Sequence, residues 1–193
     1  MADPLGAAGL LERAIGYARG GVAAVRPEHL SRPTPCSGWD LRMLLEHLND
    51  SLATLHEAVC TGWIAVASGP EQAGPPPADL AATFRDRADR LLAAWSAAGS
   101  SHRMLAVGDR PLPASVMAGA GAVEIAVHGW DIFRACGRGR PIPPALAADL
   151  LRFARLVVAD ATRHPQFAAP VVVSPQASPS DRLVAFLGRS PSR

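Results

Sequence analysis

The sequence predicts an all-α protein: an antiparallel four-helix bundle with additional short helices and a C-terminal extension. Three observations predict this class. Apolar residues recur at helical spacing in four long stretches, and segments rich in Gly and Pro separate those stretches. The chain has 193 residues, of which 49% are hydrophobic, so it can bury one substantial core. We therefore expect a single domain over residues 1–193.

Two helices are predicted in the first third of the chain. The first covers about residues 5–25, which are rich in Ala and Leu, and it ends before Pro27. The second begins after Ser37, a favourable N-cap residue, with Asp40 three positions further on as a capping-box-like acid. Its apolar pattern extends to about residue 68.

Two further long helices are predicted in the middle of the chain. Residues 69–77 are dense in Gly and Pro, which predicts a loop. A helix then covers about residues 78–97, with apolar positions at helical spacing. Residues 99–113 are expected to be irregular or to form a short extended segment. The fourth helix, about residues 114–136, is apolar almost all round, so we expect it to be the most buried.

Shorter elements complete the predicted fold. Several prolines lead into a fifth helix, which has Pro144 in its first turn and extends to about residue 162. The remainder contains a short β-prone run at residues 171–173 and a small helix after Ser180. These elements form the C-terminal extension of the predicted bundle.

Composition and charge exclude several classes of function. The net charge is +2, and the basic residues, all of them arginine, are spread along the chain and mixed with acids, so we expect no nucleic-acid partner. The N-terminus lacks the apolar stretch typical of a signal peptide, and no apolar run is long enough for a membrane span. The three cysteines are odd in number and widely spaced, which favours a reducing cytoplasm over a disulfide framework.

His47, Glu124 and His128 are the candidate metal ligands. Glu124 and His128 are four residues apart, which places both side chains on one face of the fourth predicted helix. His47, on the second predicted helix, is the best placed of the remaining histidines to supply a third ligand. Two imidazoles and one carboxylate are the ligand set of an open catalytic zinc or iron site.

The surroundings of these residues favour a binding pocket over a surface pair. On the second helix, His47 shares its face with small or polar residues that include Ser51 and Thr54. On the fourth helix, the Gly and Ala run at residues 119–122 leaves space above the ligands, either for close approach of another helix or for a bound molecule. A Glu and a His one turn apart are more often a surface pair. This pair, however, lies in an otherwise apolar helix, where a cation would compensate the buried carboxylate.

Asp131, three residues beyond His128, has two open interpretations. Its carboxylate can accept a hydrogen bond from a ligand imidazole and so orient the ring. Alternatively, Asp131 is a surface acid in the C-terminal half of the helix. The residue pattern favours neither interpretation over the other.

Three segments of the chain carry motifs. Residues 34–48 read TPCSGWDLRMLLEHL, residues 124–137 read EIAVHGWDIFRACG, and residues 181–189 read DRLVAFLGR. The first is similar to T-P-C-x-G-W followed by a helix with a metal-binding histidine, and the second to E-x-x-x-H-G-W-D. These are motifs of the DinB-like, mycothiol-dependent maleylpyruvate isomerase N-terminal domain family, which the chain resembles over nearly its whole length. The third segment is similar to the end of one actinobacterial branch.

The resemblance implies a DinB-like metal-binding helical bundle, with His47, Glu124 and His128 as ligands of a divalent cation, usually zinc. It also implies an enzyme that activates a low-molecular-weight thiol such as mycothiol, for S-transfer to, or isomerisation of, a small electrophilic substrate. The isomerase itself carries a separate C-terminal domain, and we expect none in this chain. The expected partners are therefore the thiol and the electrophile, and the protein is expected to be a monomer or a homodimer.

Two other functions stay open at this stage. Metal-activated water would make the protein a hydrolase, although no general base is evident outside the ligand set. A metal- or small-molecule-binding protein without turnover is the alternative outside the enzymes. In the thiol mechanism the nucleophile comes from the cosubstrate, so the protein needs no Ser–His–Asp or Cys–His arrangement, and the sequence indicates none.

Overall fold

Six α-helices and a small β-sheet make up the described part of the chain, which comprises residues 6–64, 79–98, 103–158 and 167–191 of a computed structural model. The helices are α1 (Ala7–Val22), α2 (Leu41–Thr61), α3 (Leu80–Ala97), α4 (Ala114–Ala135), α5 (Pro144–Val157) and α6 (Pro179–Phe186). A single 3₁₀ turn, Pro27–His29, precedes α2. The prediction of a mostly helical protein is therefore confirmed.

A three-stranded sheet departs from the all-α prediction. Its strands are β1 (Trp63–Ile64), β2 (Met104–Val107) and β3 (Arg110–Pro113), in the order β1-β2-β3. Strands β1 and β2 are parallel, whereas β2 and β3 are antiparallel and joined by a turn at Gly108, which has a φ of 60°. Of the two alternatives for residues 99–113, the extended one is confirmed over β2 and β3, and residues 99–102 lie outside the described residues.

The start and the end of α2 differ from the prediction. Asp40 rather than Ser37 is the N-cap, because the Asp40 side chain accepts a hydrogen bond from the backbone N–H of Met43 at 2.9 Å. The helix stops after Thr61, where Gly62 adopts a left-handed conformation with a φ of 79°. Gly62 and β1 therefore replace the last part of the predicted helix, and its residues 65–68 lie outside the described residues.

The other helices agree with the prediction to within a few residues. The helix α5 is described as far as Val157, short of its predicted end at residue 162, and residues 159–166 lie outside the described part. The helix α6 begins slightly earlier than predicted, because the Ser178 hydroxyl accepts a hydrogen bond from the backbone N–H of Asp181 at 3.1 Å. The β-prone residues 171–173 form no strand. The predicted loop at residues 69–77 lies outside the described residues.

The helix α4 lies at the centre of the packing, where it contacts α1, α2 and α5, and most of its residues are buried as predicted. It approaches α1 very closely at glycine positions. A Cβ atom added to Gly129 would lie 3.0 Å from the Cα atom of Ala18, and one added to Gly21 would lie 3.1 Å from the carbonyl oxygen of Gly129. The helix α2 packs against both α3 and α4, and its contact with α4 brings the partly exposed His47 next to that helix.

The cysteines Cys36, Cys60 and Cys136 are all free. Cys136 is buried at the C-terminal end of α4, and this burial raises the pKa of its thiol. Among the described residues, no helix combines the length with the apolar character that crossing a membrane requires.

Candidate metal centre

Three side chains converge between α2 and α4. The Nε2 atom of His47 lies 2.5 Å from Oε1 of Glu124, and the Nε2 atom of His128 lies 3.2 Å from the same oxygen. The possible ligand atoms of the three residues all lie within 4.8 Å of one another. The structure thus brings together all three residues that the sequence predicts as ligands. In the described part of the chain, no other three His, Cys, Asp or Glu residues form such a group.

Glu124 supplies the negative charge between the two imidazoles. Burial by itself would raise the pKa of Glu124, but His128 and His47 lower it well below its usual range through their charge and their hydrogen bonds. The carboxylate is therefore ionised throughout the physiological pH range. Since 30% of its side chain is exposed, a ligand can also reach Glu124 from the adjoining solvent.

His128 is the most buried of the three candidate ligands, with 5% of its surface exposed. Burial by itself would lower the pKa of His128, but the carboxylates of Glu124 and Asp131 raise it to about 9. In the metal-free protein the ring is therefore protonated at neutral pH, and it can donate from Nε2 to Glu124 and from Nδ1 to Asp131. A cation that binds Nε2 would release the proton held there.

Asp131 is fully buried, which excludes its interpretation as a surface acid. Its Oδ2 atom lies 3.0 Å from Nδ1 of His128, and it also accepts a hydrogen bond at 3.1 Å from Nη2 of Arg189. Arg189 lies in the segment after α6 and has 8% of its surface exposed. Sequence reasoning misses this arginine, for which the only signal is its place at the end of the motif at residues 181–189.

The loop before α2 places an aromatic ring against both histidines. The indole of Trp39 packs edge-on against His47 with a centroid distance of 4.8 Å, and it stacks on His128 with a centroid distance of 6.2 Å. Thr34 braces this loop, since its hydroxyl donates to the carbonyl oxygen of Trp39 at 3.0 Å. Trp39 therefore forms one wall of the site.

A cleft of about 480 Å³ opens beside the candidate ligands, and both His47 and Glu124 line it. Its other lining residues are Asp50, Ser51, Thr54, Leu55, Met117, Ala120, Gly121 and Phe167. At the wall of this cleft the Leu55 side chain packs directly against Gly121 of α4, where a Cβ atom would lie 2.6 Å from Cδ1 of Leu55. Apart from Glu124 of α4, the polar residues of this lining come from α2, and the apolar ones come mainly from α4, which suits a small molecule with both polar and apolar parts.

The residues of this site fit a divalent cation such as zinc. Two imidazole nitrogens and one carboxylate oxygen form the donor set of an open site, in which coordination positions remain for a further ligand. Asp131 engages Nδ1 of His128, so Nε2 is the nitrogen that is directed towards Glu124 and available to a cation. The partial exposure of His47 and Glu124 leaves an approach from the cleft. The role of the three residues as ligands stays a prediction.

The fold and the site together define a mostly helical protein with a candidate divalent-metal centre, built from two histidines and a glutamate on two packed helices. The sequence model of the mycothiol maleylpyruvate isomerase N-terminal domain matches residues 11–133, and this chain belongs to that family. The resemblance seen in the sequence motifs is thereby confirmed. The matched region contains the three candidate ligands and Asp131.

Proteins similar to this chain occur in Mycobacterium tuberculosis. One protein of strain CDC 1551 / Oshkosh and one of strain H37Rv are each 32% identical to it over 189 residues, which covers 88% of this chain and 90% of each relative. Both are described as uncharacterized proteins. Their source agrees with the actinobacterial branch that the motif at residues 181–189 resembles. No solved structure matches the chain significantly.

Proposed function

We propose that this protein is a metal-dependent enzyme that activates a low-molecular-weight thiol, such as mycothiol, for S-transfer to, or isomerisation of, a small electrophilic substrate. The observation that carries the proposal is the convergence of His47, Glu124 and His128 beside an open cleft. Membership of a family linked to mycothiol supports the thiol as cosubstrate.

We also propose that α1 to α4 are the helices of a DinB-like bundle. The three free cysteines suit work in a reducing cytoplasm.

His47, Glu124 and His128 would hold the cation, which we propose to be zinc. When bound, such a cation acts as a Lewis acid and favours the deprotonated, nucleophilic form of a thiol. Asp131 would keep the His128 ring oriented by accepting its Nδ1–H. Trp39, packed against both imidazoles, would exclude water from that side of the site.

The cleft would hold the two small molecules next to the ligand atoms. The hydroxyls of Ser51 and Thr54 can donate to, or accept from, polar groups of the thiol. Met117 and Phe167 offer apolar contacts to the carbon skeleton of the electrophile. Holding both reactants in one cleft replaces a bimolecular encounter by a positioned one, which is a large source of rate enhancement.

A thiolate beside an electrophilic carbon has two outcomes. In S-transfer, an S–C bond forms and a leaving group departs with its electron pair. In isomerisation, the thiolate adds to one carbon of an activated double bond, the resulting single bond rotates, and the thiolate leaves as the double bond re-forms. Neither outcome involves net oxidation or reduction, and neither needs a nucleophile from the protein.

Turnover assays with defined thiols and electrophiles test this proposal. Zinc-reconstituted protein is incubated with mycothiol or a simpler thiol and with either a cis-configured unsaturated ketone or a haloalkyl electrophile, and the products are separated by chromatography. We expect thiol-dependent product from the wild type and none from His47→Ala. His56→Ala is the matched control, because His56 lies on α2 outside the site, with Nε2 at 3.6 Å from the Cys60 sulfur, and this variant should keep its activity.

Three other results would change or contradict the proposed function. Hydrolysis of an ester or amide without any thiol would make the protein a metal-dependent hydrolase. Zinc binding without turnover of any pair would leave a metal-binding protein. Unchanged turnover in His47→Ala would contradict the proposed role of the metal centre.

A further inference from the structure

Arg189 connects the C-terminal part of the chain to the candidate metal centre. Its buried side chain donates from Nη2 to Oδ2 of Asp131 at 3.1 Å. The same oxygen lies 3.0 Å from Nδ1 of His128, and Nε2 of that ring lies 3.2 Å from Glu124. Arg189, Asp131 and His128 thus form a continuous chain of hydrogen bonds that ends at a candidate ligand atom.

Asp131 needs a charged partner because no part of its side chain is exposed. A buried carboxylate is costly unless it is paired and hydrogen-bonded. Among the described residues, its Oδ1 atom has no hydrogen-bond partner, so the compensation comes from the two contacts at Oδ2. Arg189 carries a permanent positive charge. It is therefore the partner that keeps the Asp131 carboxylate in place independently of His128.

The local backbone fixes the Arg189 side chain. Its N–H donates to the carbonyl oxygen of Val184 at 2.9 Å, and its Nη1 donates to the carbonyl oxygen of Leu187 at 3.0 Å. Gly188 makes the turn between these residues with a φ of 83°, a conformation that favours glycine. The guanidinium is thus oriented by hydrogen bonds within its own segment as well as by Asp131.

We propose that Arg189 is a positioning residue of the metal centre: it holds Asp131 in the orientation that accepts the Nδ1–H of His128, which leaves Nε2 of His128 for the cation. Arg189 lies outside residues 11–133, so the family match assigns it no role. The inference rests on the proposed metal-binding function. Partners that orient a ligating histidine set metal affinity, and their loss typically weakens it about 10–100-fold.

The variant Arg189→Gln tests this inference against the matched control Ser180→Ala. Ser180 anchors the same C-terminal segment elsewhere, since its hydroxyl accepts a hydrogen bond from the backbone N–H of Ile142 at 3.0 Å. Zinc affinity is measured by competition with a chromophoric chelator. Independently of metal, protein labelled with ¹⁵N-histidine reports the Nδ1–H of buried His128 as a protected NMR resonance. We expect Arg189→Gln to weaken zinc binding about 10–100-fold and to lose the resonance, while Ser180→Ala keeps both.

The conservative variant Arg189→Lys keeps the positive charge and should recover part of the affinity and of the resonance, and it carries the comparison if Arg189→Gln does not fold. Wild-type affinity and resonance in Arg189→Gln would overturn the inference. Equal losses in Arg189→Gln and Ser180→Ala would also overturn it, because docking of the segment would then be the cause. If the wild type binds no zinc, the proposed function fails. Loss of the His128 resonance in Arg189→Gln alone would still establish the positioning contact.

Discussion

The metal-free protein should lose stability as the pH rises from about 6 to about 8.5, because over this interval the unfolded chain releases the proton of His128 while the folded protein retains it. Burial by itself would lower the pKa of His128, but Glu124 and Asp131 raise it from 6.5 to about 9 in the folded protein. Folding therefore retains a proton that the unfolded chain releases above pH 6.5. This stabilisation is fully present below that pH and is lost as the pH rises through about 9.

The magnitude follows from the two pKa values of His128. The difference between 6.5 and about 9 corresponds to ~3 kcal/mol of stability at about 1.4 kcal/mol per pKa unit. About 2 kcal/mol of this should be lost between pH 6 and pH 8.5. The lowered pKa of Glu124 affects stability only at acidic pH, where the carboxylate takes up a proton. Burial raises the pKa of the Cys36 thiol above 9.0, so this thiol affects stability only near and above pH 9.

Urea unfolding of the EDTA-treated protein at several pH values measures this effect. His128→Gln should give a flat profile over the interval, whatever its overall stability. Glu124→Gln should give a smaller fall than the wild type, because Glu124 contributes most to the raised pKa of His128. A flat wild-type profile, or a fall of the same size in His128→Gln, would refute the reasoning.

The remaining predictions concern metal binding, the cleft and the contact between α1 and α4. Zinc affinity, measured by chelator competition, should rise about tenfold per pH unit from about pH 7 to about pH 9, because zinc displaces a proton from His128. Gly121→Leu should fill the cleft and raise KM for the thiol or the electrophile in steady-state kinetics, with zinc content unchanged. Gly129→Ala should lower the free energy of unfolding by about 1–3 kcal/mol, because its Cβ would lie 3.0 Å from Cα of Ala18. Gly16→Ala, where α1 has open space, should instead raise it by about 0.5–1 kcal/mol.

Each of these predictions has a result that would contradict it. A zinc affinity that does not change with pH would exclude displacement of a proton from His128. Loss of zinc from Gly121→Leu would show that the cleft and the metal centre are not separable. Equal stability of Gly129→Ala and Gly16→Ala would contradict the close approach of α1 and α4.

Most of the helices could be predicted because their signals are local. The fourth predicted helix is apolar almost all round, and α4 is indeed largely buried. The predicted start of α2 is wrong by a few residues, and the reason is equally local. Gly38, with a φ of 81°, continues the loop beyond Ser37, so Asp40 becomes the residue that caps the helix.

The sheet could not be predicted because its pairing is not local. The strand β1 has only two residues, and its Trp63 pairs with Ala106, which is separated from it in the sequence by the whole of helix α3. No periodic pattern in so short a segment specifies such a partner. The sequence feature that could have indicated the end of α2 is Gly62, because glycine readily adopts the left-handed conformation that ends this helix.

The candidate site was predictable as far as helical faces determine it. The four-residue spacing of Glu124 and His128 and the polar face of α2 predict that these side chains lie together beside a pocket, and the structure brings them together beside a cleft. The contact between Asp131 and Arg189 joins residues 58 positions apart. It depends on the docking of α6 against α5, which no local pattern encodes.

Elemental analysis of the protein, purified without a metal-affinity tag, tests the central claim most directly. The wild type is compared with the double variant His47→Ala/His128→Ala and with the control His56→Ala. A metal centre predicts about one equivalent of divalent metal, zinc by our proposal, in the wild type and the control, and its loss from the double variant. Absence of metal from the wild type, or equal metal content in all three proteins, would contradict the claim.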